Sequence, residues 1–150
     1  MQTEKNNGNL EKIAAHLLKI YSGTVVDHGL RPRNMGELPG ADGFARFTGD
    51  CGDTVEMWLL VQDDTISRIS FRTDGCLATM ACGSMVTQLA GGKSPGAARG
   101  IRPQDVLTAL EGLPEGNRHC AALAVDALRA ALRDFAVMKR EPWKKAYRRS

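Results

Sequence analysis

The sequence predicts an α+β domain in which a three-stranded antiparallel sheet is covered on one face by helices. Three observations carry this expectation. Between Thr54 and Thr73, apolar and polar residues alternate with period two on either side of a short polar break. After Gly75 the apolar period becomes helical, interrupted by stretches rich in glycine and proline, until Pro142. Strands therefore precede helices, which is the order of an α+β fold and not of alternating β and α units.

Taken in order, residues 1–8 are polar and are expected to lack regular structure. Asn9 is a good N-cap, and Leu10, Ile13, Leu17 and Ile20 follow at helical spacing, which predicts a short amphipathic helix. Residues 27–43, with two prolines and several glycines, read as a loop. Gly43–Asp50 is a short first strand. In the second, Val55, Met57, Leu59 and Val61 alternate with Thr54, Glu56, Trp58 and Leu60. Gln62-Asp63-Asp64-Thr65 suits a turn. In the third, Ile69, Phe71 and Thr73 alternate with Arg68, Ser70 and Arg72, leaving one wet face. Leu77, Met80, Ala81, Met85 and Leu89 then form a helical stripe that Gly91-Gly92 ends. A short helix is expected near Gln104–Leu110, behind Pro103. Gly116-Asn117 opens the last helix, whose apolar face is Ala121, Ala124, Val125, Leu128, Leu132 and Phe135, and Pro142 ends anything helical. The chain divides into an N-terminal extension with its short helix (1–20), a main domain (21–137) and a basic C-terminal tail (138–150).

At 150 residues, 43% apolar and 25% charged, the chain can bury one real core without disulfides. No apolar run approaches the ~20 residues of a membrane span, and the N-terminus lacks the apolar stretch of a signal peptide, so a cytoplasmic protein is expected. The net charge of +3 is uneven. Residues 139–150 hold six basic side chains and one acid, so that tail is +5 and the body is 3 − 5 = −2. Basic residues gathered in a terminal tail argue against a nucleic-acid-binding face.

The four cysteines are Cys51, Cys76, Cys82 and Cys120, and no pair has CxxC spacing. Zinc ribbons, thioredoxin motifs and ferredoxin patterns are thereby excluded. Cys51-Gly52-Asp53 falls in the turn between the first two strands, while Cys76 and His119-Cys120 each fall at a helix start. A helix N-terminus favours a thiolate and lowers its pKa, and thiolates are what soft metals and iron–sulfur clusters require. Three thiols from three element ends can therefore meet at one tip as a metal site. Cys82 lies six positions after Cys76, about 120° round the helix and roughly 9 Å along it, and reads as core. Asp53 alone would be an Asx-turn residue; its neighbour Cys51 makes it a candidate. His16 and His28 lack a partner pattern and read as ordinary. His119 and Cys120 are adjacent, so their side chains diverge by about 100°, an awkward nucleophile–base pair but acceptable ligands.

Tyr21-Ser22, Asp27-His28, Pro32-Arg33-Asn34-Met35-Gly36, Cys51-Gly52-Asp53, Gly75-Cys76, Gly92-Lys93-Ser94 and His119-Cys120-Ala121 stand in this order and spacing. In this the chain resembles the IscU/NifU N-terminal scaffold family, from about Tyr21 to Phe135. The resemblance implies a non-enzymatic scaffold that assembles a transient [2Fe-2S] cluster and passes it to acceptor proteins such as ferredoxins, with sulfur supplied by a cysteine desulfurase. It implies that Cys51, Asp53, Cys76, His119 and Cys120 hold the metal, with iron or zinc bound there, that no residue is catalytic, and that Cys120 accepts sulfur. No membrane and no nucleic acid are expected as partners. Two departures stand out. The family's Leu-Pro-Pro-Val-Lys segment, read by a dedicated Hsp70, is here Leu113-Pro114-Glu115-Gly116-Asn117, so such a chaperone is not expected. The aromatic that usually follows Asp-His is Gly29. The alternatives are a structural zinc domain and a Cys/His thiol enzyme.

Overall fold

In the computed structural model, which describes residues 2–147, three strands form one antiparallel sheet: β1 (Gly43–Thr48), β2 (Thr54–Gln62) and β3 (Thr65–Thr73), in the order β1-β2-β3. The register sets Gly43 against Leu59 and Thr48 against Thr54 on one side of β2, and Val55 against Thr73 on the other. The β2–β3 connection is the tight turn the polar break predicted. Asp63 and Asp64 both take positive φ, 52° and 58°, the paired left-handed conformation whose twist suits a two-residue hairpin.

Six α-helices are present among the described residues: α1 (Gln2–Leu17), α2 (Gly23–Leu30), α3 (Leu77–Ala90), α4 (Pro95–Arg99), α5 (Pro103–Ala109) and α6 (His119–Arg140). α3 and α6 lie on one face of the sheet, as the α+β reading requires. α3 approaches so closely that a Cβ on Gly83 would stand 2.5 Å from the Phe71 ring. On α6, Ala121, Ala124, Val125, Leu128 and Leu132 are buried, and Phe135 packs on the edge of the same core.

The α3 stripe is only partly as expected. Ala81 and Met85 are buried, but Leu77, Met80 and Leu89 are only half-buried, whereas Ala78, Thr79, Cys82, Ser84, Val86 and Thr87 are buried too. The helix touches β3, α2 and α6, so it is enclosed on several sides and has no single apolar face.

Part of the expected loop at 27–43 is helix. Ser22 caps α2, accepting from the Val25 amide at 3.1 Å and donating to the Leu110 carbonyl at 2.6 Å. His28 is therefore not a loop residue. It is buried with Nδ1 2.7 Å from the Ser84 hydroxyl, which also accepts from the Arg33 amide at 2.8 Å. Arg33 pairs with Asp27 at 2.6 Å, and the Asn34 amide donates to the Thr87 hydroxyl at 3.1 Å. The Asp27-His28 and Arg33-Asn34 motifs thus clamp α2 and the following segment onto α3. Burial holds the His28 imidazole below its ordinary range, and the nearby Arg33 charge adds to this against the opposing pull of Asp27.

The outer face of the sheet is not simply wet. Met35 forms a parallel bridge with Phe71, and Leu38 and Ala41 cover Trp58, whose ring meets Phe44 at 5.2 Å and lies under Arg72. Ser70 is buried beneath this cover. At the N-terminus, α1 begins at Gln2, where no regular structure was expected, so Asn9 is inside the helix and not its cap. It ends at Leu17, short of Ile20, and Leu10 and Ile13 remain 42% and 49% exposed. α4, capped by the Ser94 hydroxyl, was not expected; α5 was. α6 runs across 137/138 to Arg140. Beyond Pro142 the chain still winds, into a 3₁₀ helix (Pro142–Tyr147), and Lys145 docks on the Asp42 carboxylate and the Gly40 carbonyl at 3.2 Å.

Candidate metal centre

The β1–β2 turn is closed by two backbone bonds of 3.0 Å, from the Gly49 amide to the Asp53 carbonyl and from the Gly52 amide to the Gly49 carbonyl. Gly52 sits at φ +90°, a conformation that glycine adopts without strain. Cys51 is exposed beside it, and Asp53 is half-buried at the foot of the turn. Cys76 is the N-cap residue of α3 and is exposed, whereas Cys120, second in α6, is fully buried behind the exposed His119.

Three of these residues share one neighbour. The Thr79 hydroxyl stands 3.3 Å from Asp53 Oδ2, 3.4 Å from Cys120 Sγ and 3.6 Å from Cys76 Sγ. His119 Nε2 lies 3.7 Å from Cys120 Sγ, so the two side chains expected to diverge do meet, because the exposed imidazole folds back over the sulfur. Cys51 and His119 line a common groove with Phe47 and Leu123. All five candidate residues therefore stand at one end of the domain. Among the described residues, no three His, Cys, Asp or Glu side chains yet surround a point at metal-ligating distance. Asp53, Cys76 and Cys120 are gathered round Thr79.

The thiols differ in their chemistry. For Cys76, partial burial works upward, but hydrogen bonds from the Thr79 amide and hydroxyl and the Ala78 amide outweigh it, and the net shift is downward. This is the helix-start effect anticipated for both thiols. Cys120 goes the other way: burial pushes its thiol up to about 11, against a lowering contact from Thr79. Its place in the interior outweighs its place in the helix. Cys82 lies in the hydrophobic core, where burial pushes its thiol far up.

Thr79 was not anticipated. Its one local signal is a hydroxyl three residues after Cys76, the spacing that puts two side chains on one helix face. Gly75 depends on it, since a Cβ there would come within 2.7 Å of the Thr79 side chain. The substitution at Gly29 also has a physical partner: a Cβ at 29 would lie 2.5 Å from Leu77, which fills the space next to Cys76. Leu113 is buried, and Glu115–Asn117 form one turn of 3₁₀ helix before α6.

A small α+β domain with thiols, a carboxylate and an imidazole collected at one end is the class that the fold and site define. The family profile described as "NifU-like N terminal domain" matches residues 20–141, and the chain belongs to that family. It is 42% identical over 117 residues to "Iron-sulfur cluster assembly scaffold protein IscU 1" of Archaeoglobus fulgidus, covering 77% of this chain and 76% of that protein. It is 37% identical over 121 residues to "Iron-sulfur cluster assembly scaffold protein IscU" of Escherichia coli K12, covering 77% and 93%. The crystal structure of a NifU-like protein (N-terminal) from Brucella abortus has the same fold, with a TM-score of 0.61 over 79% of this chain and 95% of that one at 20% identity. No described helix is long and apolar enough to cross a membrane.

Proposed function

We propose that this protein is a non-enzymatic scaffold on which a transient [2Fe-2S] cluster is built and handed on. Cys51, Cys76 and Cys120 supply thiolates, and Asp53 or His119 supplies one harder ligand. The observation that carries this reading is that Asp53, Cys76 and Cys120, from segments far apart in sequence, approach one hydroxyl while Cys51 and His119 line a groove beside Cys120. A permanent cluster is usually held by four thiolates. Three thiolates and one oxygen or nitrogen ligand leave a weaker position where an acceptor's thiolate can exchange in. The names of the relatives, iron–sulfur cluster assembly scaffold proteins, support the scaffold role. To that role we add a cysteine desulfurase as sulfur donor and acceptor apo-proteins such as ferredoxins as recipients. Iron and zinc both suit this donor set. The sulfur-acceptor role assigned to Cys120 requires its buried Sγ to be uncovered when the donor docks. The chemistry belongs to the reducing cytoplasm, where thiols persist.

The test is anaerobic reconstitution with iron, cysteine and a desulfurase, followed by absorption and Mössbauer spectra and by transfer to an apo-ferredoxin. Wild-type protein is expected to show a [2Fe-2S] signature that moves to the ferredoxin. Cys51→Ser, Cys76→Ser and Cys120→Ser are each expected to remain folded and to lose it. A folded wild-type chain that never acquires a cluster defeats the reading.

A further inference from the structure

Resting on that scaffold reading, we propose that Thr79 is the positioning residue of the site. Its hydroxyl holds the Asp53 carboxylate beside the Cys76 and Cys120 sulfurs, and so makes that carboxylate, and not the His119 imidazole, the harder ligand.

Thr79 has no solvent exposure, so water does not compete for its hydroxyl. That hydroxyl carries one proton and two lone pairs. It donates to Asp53 Oδ2 or to Cys120 Sγ, one at a time, while remaining open to a thiol proton from Cys76. Once metal replaces the thiol protons, every partner around it is an acceptor, and the hydroxyl proton is shared among ligand atoms alone. A carboxylate has two oxygens. With Oδ2 held by Thr79, Oδ1, which has no hydrogen bond among the described residues, is the atom left for a metal. Asp53 is thus orientated before metal arrives.

His119 is not. Its ring is exposed, and its contact with Cys120 Sγ at 3.7 Å is its one hydrogen-bonding approach among the described residues. It must be ordered on binding, whereas Asp53 already is, and ordering a side chain costs free energy. The threonine itself is fixed from two sides. It sits in the first turn of α3, and Gly75 presses against it so closely that a Cβ there would fall 2.7–2.8 Å from Thr79 side-chain atoms. This hydroxyl has little room to reach another set of partners.

The experiment uses zinc as the probe and the full chain as the protein. X-ray absorption at the zinc edge counts sulfur neighbours and detects an imidazole by its multiple scattering. Wild-type protein is expected to show three sulfurs and one oxygen with no imidazole signal. Thr79→Val keeps the shape and removes the hydroxyl, and the imidazole signal is expected to appear in it. Thr79→Ser restores the hydroxyl and is expected to return the wild-type spectrum. Circular dichroism checks that each variant is folded, and Thr79→Ala replaces Thr79→Val if valine disturbs the helix packing. An imidazole signal in the wild type, or an unchanged spectrum in the folded variant lacking the hydroxyl, overturns the role of Thr79 while three sulfurs still stand. Fewer than three sulfurs in the wild type overturns the ligand set beneath it as well.

Discussion

Cys82→Ser separates the cysteine that builds the fold from the cysteines that build the site. Cys82 is fully buried on α3, within the hydrophobic core. Serine keeps the size nearly unchanged but buries a hydroxyl where a weakly polar thiol stood. An unpaired buried hydroxyl costs about 1–3 kcal/mol. In a helix that hydroxyl can bond back to the carbonyl one turn earlier, here that of Ala78, which brings the expected loss to about 1–2 kcal/mol. For a chain of this length, 1 kcal/mol moves the melting midpoint by roughly 2–4 °C, so the midpoint is expected to fall by about 2–8 °C. Cluster content per chain, measured after anaerobic reconstitution well below that midpoint, is expected to match wild type. Cys76→Ser should behave in the opposite way, because its side chain is exposed: little loss of stability and no cluster. Calorimetry on the apo-protein and Mössbauer spectra on the reconstituted one read the two effects independently. A folded Cys82→Ser protein without a cluster would refute the ligand set, and an unchanged midpoint would refute the packing argument.

Two further outcomes concern His28 and Asp53. Burial lowers the His28 pKa below its ordinary 6.5, so the unfolded chain takes up a proton that the folded chain resists. This contribution is complete above about pH 6.5 and is lost as the pH falls toward the folded-state value; urea midpoints on either side of pH 6.5 should decline in wild type and decline less in His28→Gln. Asp53→Ala is expected to give a cluster that lives longer and passes more slowly to apo-ferredoxin, as read by circular dichroism during transfer, and an unchanged transfer rate would move the exchange position to His119.

What was legible in the sequence is what local periodicity encodes. The β2–β3 hairpin needs only alternation and two aspartates that tolerate left-handed φ, and α6 needs only its long apolar face. α2 was hidden because its stability is tertiary: eight residues with glycine near both ends hold as a helix through the Ser22 cap and the clamp onto Ser84 and Thr87. The α3 stripe misled because the helix is enclosed on several sides, so small polar residues are as buried as leucines. At the site, Cys51, Asp53, Cys76, His119 and Cys120 could be chosen because thiols at element ends have a recognisable chemistry and because the motif order resembles a known family. Thr79 could not, since a threonine inside a helix carries no such signal until its three neighbours are seen in space. The rise in the Cys120 thiol was hidden for a related reason: helix position is local, whereas burial is not.

The space that Gly29 leaves beside Leu77 also links α2 to the start of α3. A Cβ at position 29 meets the Leu77 side chain at 2.5 Å, so a larger residue there requires that side chain to shift. The two positions are 48 residues apart in sequence, as 77 − 29, yet the room at one is set by the side chain at the other. A side chain at 29 would press on the residue that follows Cys76, so a change in α2 would be felt at the start of α3. The small residue in α2 and the leucine beside Cys76 are therefore two halves of one packing arrangement, although only one of them stands next to a candidate ligand.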